Sequence, residues 1–232
     1  VEHGKSEILK KFAFVNTVKI TSDFNSFIFA DFVAEYQAGT KRTILIPDFL
    51  RVVKRKQSTQ ASNLTILNSV TEEGWVGKLP LGQHVGKPVT ANLITALTES
   101  ELGDRRYKWS RFGFLSRVVP LTFKYGEDTA GLIRSYIKDR LYHQDNPYDF
   151  ELPKDKIDVA IPPDVSEMVQ ELCFVVMDRL KVKNMLGFRL QRQLQVLTMA
   201  SAISNGRNLV NSSDFEAVKE ISAFINYKYK EI

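Results

Sequence analysis

The change of texture near residue 125 constrains this chain more than any other feature. Up to that point, short apolar and β-branched runs alternate with helical patterns; beyond it only helical periodicity remains. This order predicts an α/β core with a parallel sheet over residues 1–125, followed by a small all-α domain over 126–232.

The individual runs carry the prediction. Ile8, Leu9 and Phe12 share one face of a helix that follows Gly4-Lys5-Ser6. Thr17–Thr21 alternates as a strand, and Ser22 or Asp23 caps a helix striped by Phe27, Ile28, Phe32 and Val33. Arg42–Ile46 is a short apolar run before Pro47-Asp48, the type of a buried parallel strand. A helix begins at Leu64–Leu67 and ends near Gly74. The stretch from Gly74 to Pro88 reads as a long loop, punctuated by Gly77, Pro80, Gly82 and Gly86. Ala91–Thr98 and Val118–Phe123 read as further strands. Helical periodicity then covers 128–142, 165–182 and 188–204, the last with Leu190, Leu194, Leu197 and Ile203 apolar. Residues 145–163 form a Pro- and Asp-rich connection, and Ser213-Asp214 caps a final helix through Phe224. No internal repeat or low-complexity tract is visible.

Composition narrows the chemistry. Apolar residues make up 44% of the 232 and charged residues 25%, which excludes a disordered chain. The single cysteine, Cys173, excludes an intramolecular disulfide and a cysteine-based zinc site, and fits a plain core position. His3, His84 and His143 are too scattered to form a metal cluster. No apolar run approaches the roughly 18 residues of a membrane span, and the N-terminus has no apolar segment of the signal-peptide kind. A cytoplasmic protein is therefore expected. The net charge of +5 (32 Lys and Arg, 27 Asp and Glu) permits contact with nucleic acid without demanding it. The Lys54-Arg55-Lys56 triplet fits a solvated loop.

Gly4-Lys5-Ser6 opening a helix matches the end of a phosphate-binding loop. Glycine lets backbone approach a phosphate, and the first-turn N–H groups and the helix dipole favour its charge. In this pattern Gly4, Lys5, Ser6 and Glu7 form the cofactor-binding turn. Lys5 reaches the β- and γ-phosphates and Ser6 holds Mg²⁺. The first glycine of the full pattern, and the strand before it, would lie upstream of Val1. Such a site needs a carboxylate beside the metal at the end of a second strand, and Asp48 follows Ile44-Leu45-Ile46-Pro47. It needs a polar residue at the tip of a third, where Thr98 stands. An arginine should precede a further strand; Arg117 fits, with Arg111 as competitor.

In this ordered set the chain resembles the AAA+ ATPases, most closely the branch that includes MoxR-type chaperones and the minichromosome-maintenance helicases. Gly187–Phe215, with Arg189 at the start of one helix, small residues along it, and Gly206-Arg207 before Val210, is similar to the family's lid. The resemblance implies that Arg189 is a sensor arginine touching the γ-phosphate. It also implies that Leu115-Ser116-Arg117 is the arginine-finger segment, reaching into the next subunit of a ring. Leu67–Trp75 is similar to the helix after the family's Walker B strand. ATP or ADP with Mg²⁺ would sit between a P-loop core of three layers and the helical lid.

Two positions depart from the family. Its Walker B strand ends in Asp-Glu, where this chain has Asp48-Phe49, and its first sensor is commonly Asn, where this chain has Thr98. A hydroxyl can orient water, less firmly than an amide. Three readings follow. The first is an ATP-driven ring that remodels nucleic acid or protein. The second is a nucleotide-binding scaffold that does not hydrolyse, favoured by Phe49. The third is a DNA-binding protein without nucleotide chemistry. Gly74–Lys78 lies where the resembled family can grip a translocated chain with an aromatic and a lysine, although Trp75 more simply packs on its own domain; Lys78 and Lys87 are placed to contact a phosphate backbone. Trp109 reads as a residue packed at a domain boundary or stacked on a base.

Overall fold

The computed structural model describes residues 5–12, 14–122, 126–139, 156–180 and 187–227. The chain divides into two compact units, Val1–Glu101 with Lys124–Asp149, and Leu102–Phe123 with Phe150–Ile232.

The first unit is built on a three-stranded parallel sheet in the order β1 (Val18–Ile20), β2 (Thr43–Ile46), β5 (Asn92–Thr95). Val18 pairs with Thr43, and Thr43 with Asn92. The central strand β2 is buried at every residue, as its unbroken apolar run demands. Helix α1 (Lys5–Phe12) packs on the sheet through Leu9, which meets Val18 and Leu45 with Val15, Ile94 and Ala96 around them. Alternation along β2 turns Ile44 and Ile46 to the other face.

Helix α2 (Ser26–Gln37) buries Phe29, Phe32 and Val33. Its cap is Asn25, not Ser22 or Asp23: the Asn25 side chain accepts from the N–H groups of Phe27 (2.9 Å) and Ile28 (3.0 Å). Asp23 is instead occupied in the preceding turn, accepting from Phe24 N–H (2.8 Å) and pairing with Arg55. Helix α3 is a single turn, Leu50–Val53.

Helix α4 (Gln57–Asn68) begins earlier than the apolar pattern predicts, because two of its buried positions are Gln60 and Asn63. Asn63 is satisfied by donating to the carbonyl of Phe24 (2.9 Å). A wider helical turn, Ser69–Glu73, continues it to Gly74. Gly74 has φ of +85°, and a Cβ there would lie 2.6 Å from Pro88 Cβ, so only glycine fits.

The expected loop after Gly74 contains an antiparallel hairpin, β3 (Trp75–Lys78) and β4 (His84–Val89). Its register shifts between Trp75 and Gly77, and this irregularity breaks the alternation that would have marked it as strand. Helix α5 (Glu99–Arg111) follows β5. Helix α6 (Glu127–Lys138) buries none of its residues.

The second unit is helical, with α7 (Pro163–Leu180), α8 (Phe188–Ser204) and α9 (Ser212–Ser222). Helix α7 contributes Val165, Val169, Leu172, Cys173 and Val176 to its core. Helix α8 buries Leu190, Leu194, Thr198 and Ala202, one residue per turn, while Leu197 and Ile203 are half-buried. The buried Thr198 hydroxyl donates to the carbonyl of Leu194 (2.8 Å). Helix α9 is capped by Asn211, one turn before the expected Asp214, which completes a capping box from the third helical position.

Among its described residues, the expected strand at Val118–Phe123 does not form. A tight turn, Leu115–Arg117, precedes it. Leu121 then makes an isolated antiparallel bridge to Ile225, and Thr122 N–H donates to the carbonyl of Phe224 (2.8 Å). Pro120 has no N–H to give a ladder, and its carbonyl accepts from Asn226 (2.9 Å). Trp109 is fully buried edge-on against Phe114, with ring centroids 5.7 Å apart, which removes it as a base-stacking surface.

Most of the Pro- and Asp-rich connection at 145–163 lies outside the described residues, as do residues 140–142 of the predicted 128–142 helix and Phe123.

Candidate functional site

The parallel sheet brings two predicted site residues to one edge. Asp48 follows the end of β2 and Thr98 follows the end of β5, and adjacent parallel strands end on the same side. The N–H of Phe49 donates to the carbonyl of Ala96 (3.0 Å), tying the two loops together beyond the ladder. Helix α1 turns directly into the start of β1, through Val15 N–H to Phe12 O (3.2 Å) and Val18 N–H to Val15 O (2.9 Å). Leu9 sets this helix against the sheet face that carries Val18 and Leu45. Lys5 is its first residue. Loops at the carboxyl ends of parallel strands are where open α/β sheets bind ligands. Gly4 lies outside the described residues, as do the side chains of Ser6 and Glu7.

The Asp48 carboxylate is about half exposed. It accepts from Leu50 N–H (3.1 Å) and lies 3.5 Å from the Arg51 guanidinium. Its oxygens keep lone pairs for a hard cation. Among the described residues no group of three His, Cys, Asp or Glu side chains is placed to hold a metal. An exposed carboxylate suits Mg²⁺, which takes one or two protein oxygens and fills its remaining positions with phosphate oxygens and water. Phe49 is completely buried, so the position next to Asp48 belongs to the core of this unit.

Thr98 has a structural duty. Its hydroxyl accepts from Glu101 N–H (3.3 Å) and shares a hydrogen bond with Ser100 Oγ (3.1 Å), while its own N–H donates to Glu101 Oε2 (3.2 Å). This reciprocal pair caps α5. The Thr-x-x-Glu spacing of 98–101 signals it in the sequence.

The two arginines belong to the second unit, where the structure brings them to one turn. Arg117 folds back so that Nη1 donates to the carbonyl of Gly113 (2.8 Å). Ser116 Oγ donates to the same carbonyl (2.9 Å) and accepts from Arg189 Nη1 (3.0 Å). Gln193, one turn along α8, donates to the Ser116 carbonyl at 3.5 Å. Arg111, the competitor, is exposed at the end of α5.

A further ion pair in this unit was not read from the sequence. Arg207 grips Asp214 with two parallel bonds, Nη1 to Oδ2 (2.8 Å) and Nη2 to Oδ1 (2.7 Å). Ser201 Oγ (2.8 Å) and Asn211 N–H (3.0 Å) complete the shell of this buried carboxylate. The hydrogen bonds from Arg207, opposed in part by burial, hold the Asp214 carboxyl below its ordinary pKa. Arg207 and Asp214 join the start of α9 to the end of α8, a structural role.

On the hairpin, Trp75 packs edge-on against Phe29 with centroids 4.9 Å apart, while Lys78, His84 and Lys87 are exposed. Among the described residues no helix is long and apolar enough to cross a membrane. No protein-family model matches the chain, and no curated protein is significantly similar to it.

Proposed function

We propose that the chain binds ATP or ADP with Mg²⁺ in the manner of an AAA+ P-loop protein and works in an oligomeric ring. The observation that supports this reading is the placement of Asp48 and the Thr98 loop, tied together by the Phe49 N–H and the Ala96 carbonyl, at the carboxyl edge of a parallel sheet. Amides of the first α1 turn and Lys5 would hold the phosphates, with Ser6 and Asp48 as oxygen donors to the metal. Bound there, Mg²⁺ would neutralise charge on the β- and γ-phosphates. Arg117, from a neighbouring copy, and Arg189 would meet the γ-phosphate, so that its presence or loss changes how subunits are held.

The burial of Phe49 favours slow or absent hydrolysis, because no carboxylate stands beside Asp48 to orient water. A nucleotide-held scaffold is therefore the second reading. Among remodelled substrates, nucleic acid is favoured over protein by the exposed Lys78, His84 and Lys87 on one hairpin.

The test is ATP binding and turnover by the wild type, Lys5→Ala and Arg189→Ala. Turnover lost in both variants supports the motor; tight binding without turnover supports the scaffold. DNA affinity that ATP does not alter, with no nucleotide binding, overturns both.

A further inference from the structure

We infer that the outer face of α7 docks on the outer face of α8 in a second copy of this chain; this rests on the oligomer reading above and uses none of the nucleotide-site residues. The inference starts from the acidic residues of α7, Asp164, Glu167, Glu171 and Asp178. At 3.6 residues per turn they share an arc of about 100° with Phe174 and Val175. That arc lies opposite the buried stripe of Val165, Val169, Leu172, Cys173 and Val176. All six of its side chains are exposed, Phe174 at 58% and Val175 at 64%. The outward side of a helix ordinarily carries polar residues. Two adjacent, bulky apolar side chains there add nothing to the core of their own unit.

The charge around them is one-sided. The single cation of α7, Arg179, turns towards α9 and donates to the carbonyls of Ser222 (2.7 Å) and Ile225 (3.2 Å). Among the described residues no cation pairs with the four carboxylates. An apolar centre among carboxylates repels nucleic acid and fits a surface that is both apolar and cationic. Helix α8 presents such a surface. It contains no acidic residue, and Phe188, Arg192 and Val196 recur every four residues along one exposed side. Phe188 is 72% exposed and Val196 51%. That side is turned away from the buried Leu190, Leu194, Thr198 and Ala202. Both faces belong to the same unit and each points away from its core, so they meet only between copies. The contact is head-to-tail: every copy offers one acidic and one basic face. Two helix faces cover less than a standard interface of roughly 1,600 Å². The association is therefore weak, and salt weakens it further.

The test is sedimentation velocity of the full chain over a range of concentrations, at low and high salt, with and without ATP and Mg²⁺. One variant truncates the α7 face, Glu171→Ala/Phe174→Ala, and another the α8 face, Phe188→Ala/Arg192→Ala. All four positions are exposed, and unfolding midpoints equal to wild type confirm that the fold is kept. Wild type should self-associate, less so at high salt. Each variant alone should associate at least about tenfold more weakly. An equimolar mixture of the two should recover wild-type affinity but stop at dimers, because one intact junction forms per pair and the outer ends are both truncated.

Wild-type self-association in either variant overturns the inference while the oligomer reading stands. So does a mixture that associates no better than its components. Wild-type protein that stays monomeric under every condition overturns the oligomer reading and this inference together, and leaves the acidic face to a different cationic partner.

Discussion

At Asp214 a buried carboxylate meets the Arg207 guanidinium, a serine hydroxyl and a backbone amide. Its pKa lies below the value it has in the unfolded chain, about 3.9. The stabilisation is therefore present above the unfolded value and is lost as pH falls through the folded one. Acid titration of the helical circular dichroism signal should show this: Asp214→Asn should lower stability at neutral pH and flatten its fall on acidification. An Asp214→Asn protein whose acid transition matches the wild type would contradict the pairing. Arg207 and Asp214 are seven residues apart, across a turn and a capped helix start. Sequence periodicity says nothing about such a pair, because neither residue contributes to an apolar stripe.

The elements differ in how plainly they announced themselves. Strand β2 and helix α7 were legible because burial writes itself as an apolar run or stripe, as in Ile44-Leu45-Ile46 and Val165-Val169-Leu172-Val176. Helix α4 was legible only in part, since its buried Gln60 and Asn63 look like surface residues in the sequence. The β3–β4 hairpin was hidden by glycines, a proline turn and a register shift. The segment around Leu121 has strand composition, but among the described residues it pairs with residues after α9, a long-range partner that local pattern cannot supply.

Helix α5 depends on Thr98. Thr98→Ala should cost about 1 kcal/mol through loss of the cap, with Thr98→Ser close to wild type, as read by urea denaturation. Equal stability of Thr98→Ala and wild type would contradict the capping role. For the hairpin, Lys78→Ala/Lys87→Ala should reduce the slope of log affinity for duplex DNA against log salt by about 1 per lysine removed. A slope unchanged from wild type would take the hairpin out of any DNA contact.

At the scale of the whole molecule, the predicted site residues fall in two separate units. Lys5, Asp48 and Thr98 belong to one, and Arg117 and Arg189 to the other. The assignment of Lys5, Asp48, Thr98 and Arg189 to strand ends and helix starts was legible, whereas among the described residues Arg117 precedes no strand. What was not legible is that Arg117 and Arg189 meet at the Ser116 turn, because that depends on side-chain geometry rather than on spacing along the chain; the cap at Thr98 was written in its Thr-x-x-Glu spacing. Phe49 shows the opposite case: a large apolar residue directly after Asp48 was plain in the sequence, and it is completely buried.

The most direct measurement is calorimetric titration of the full chain with ATP and Mg²⁺, wild type against Lys5→Ala. Wild type should bind ATP, and Lys5→Ala should bind it at least about tenfold more weakly, the loss of one charge-assisted phosphate contact. Equal affinity in the two proteins, or no binding by either, would contradict the assignment of the α1 start as a phosphate site.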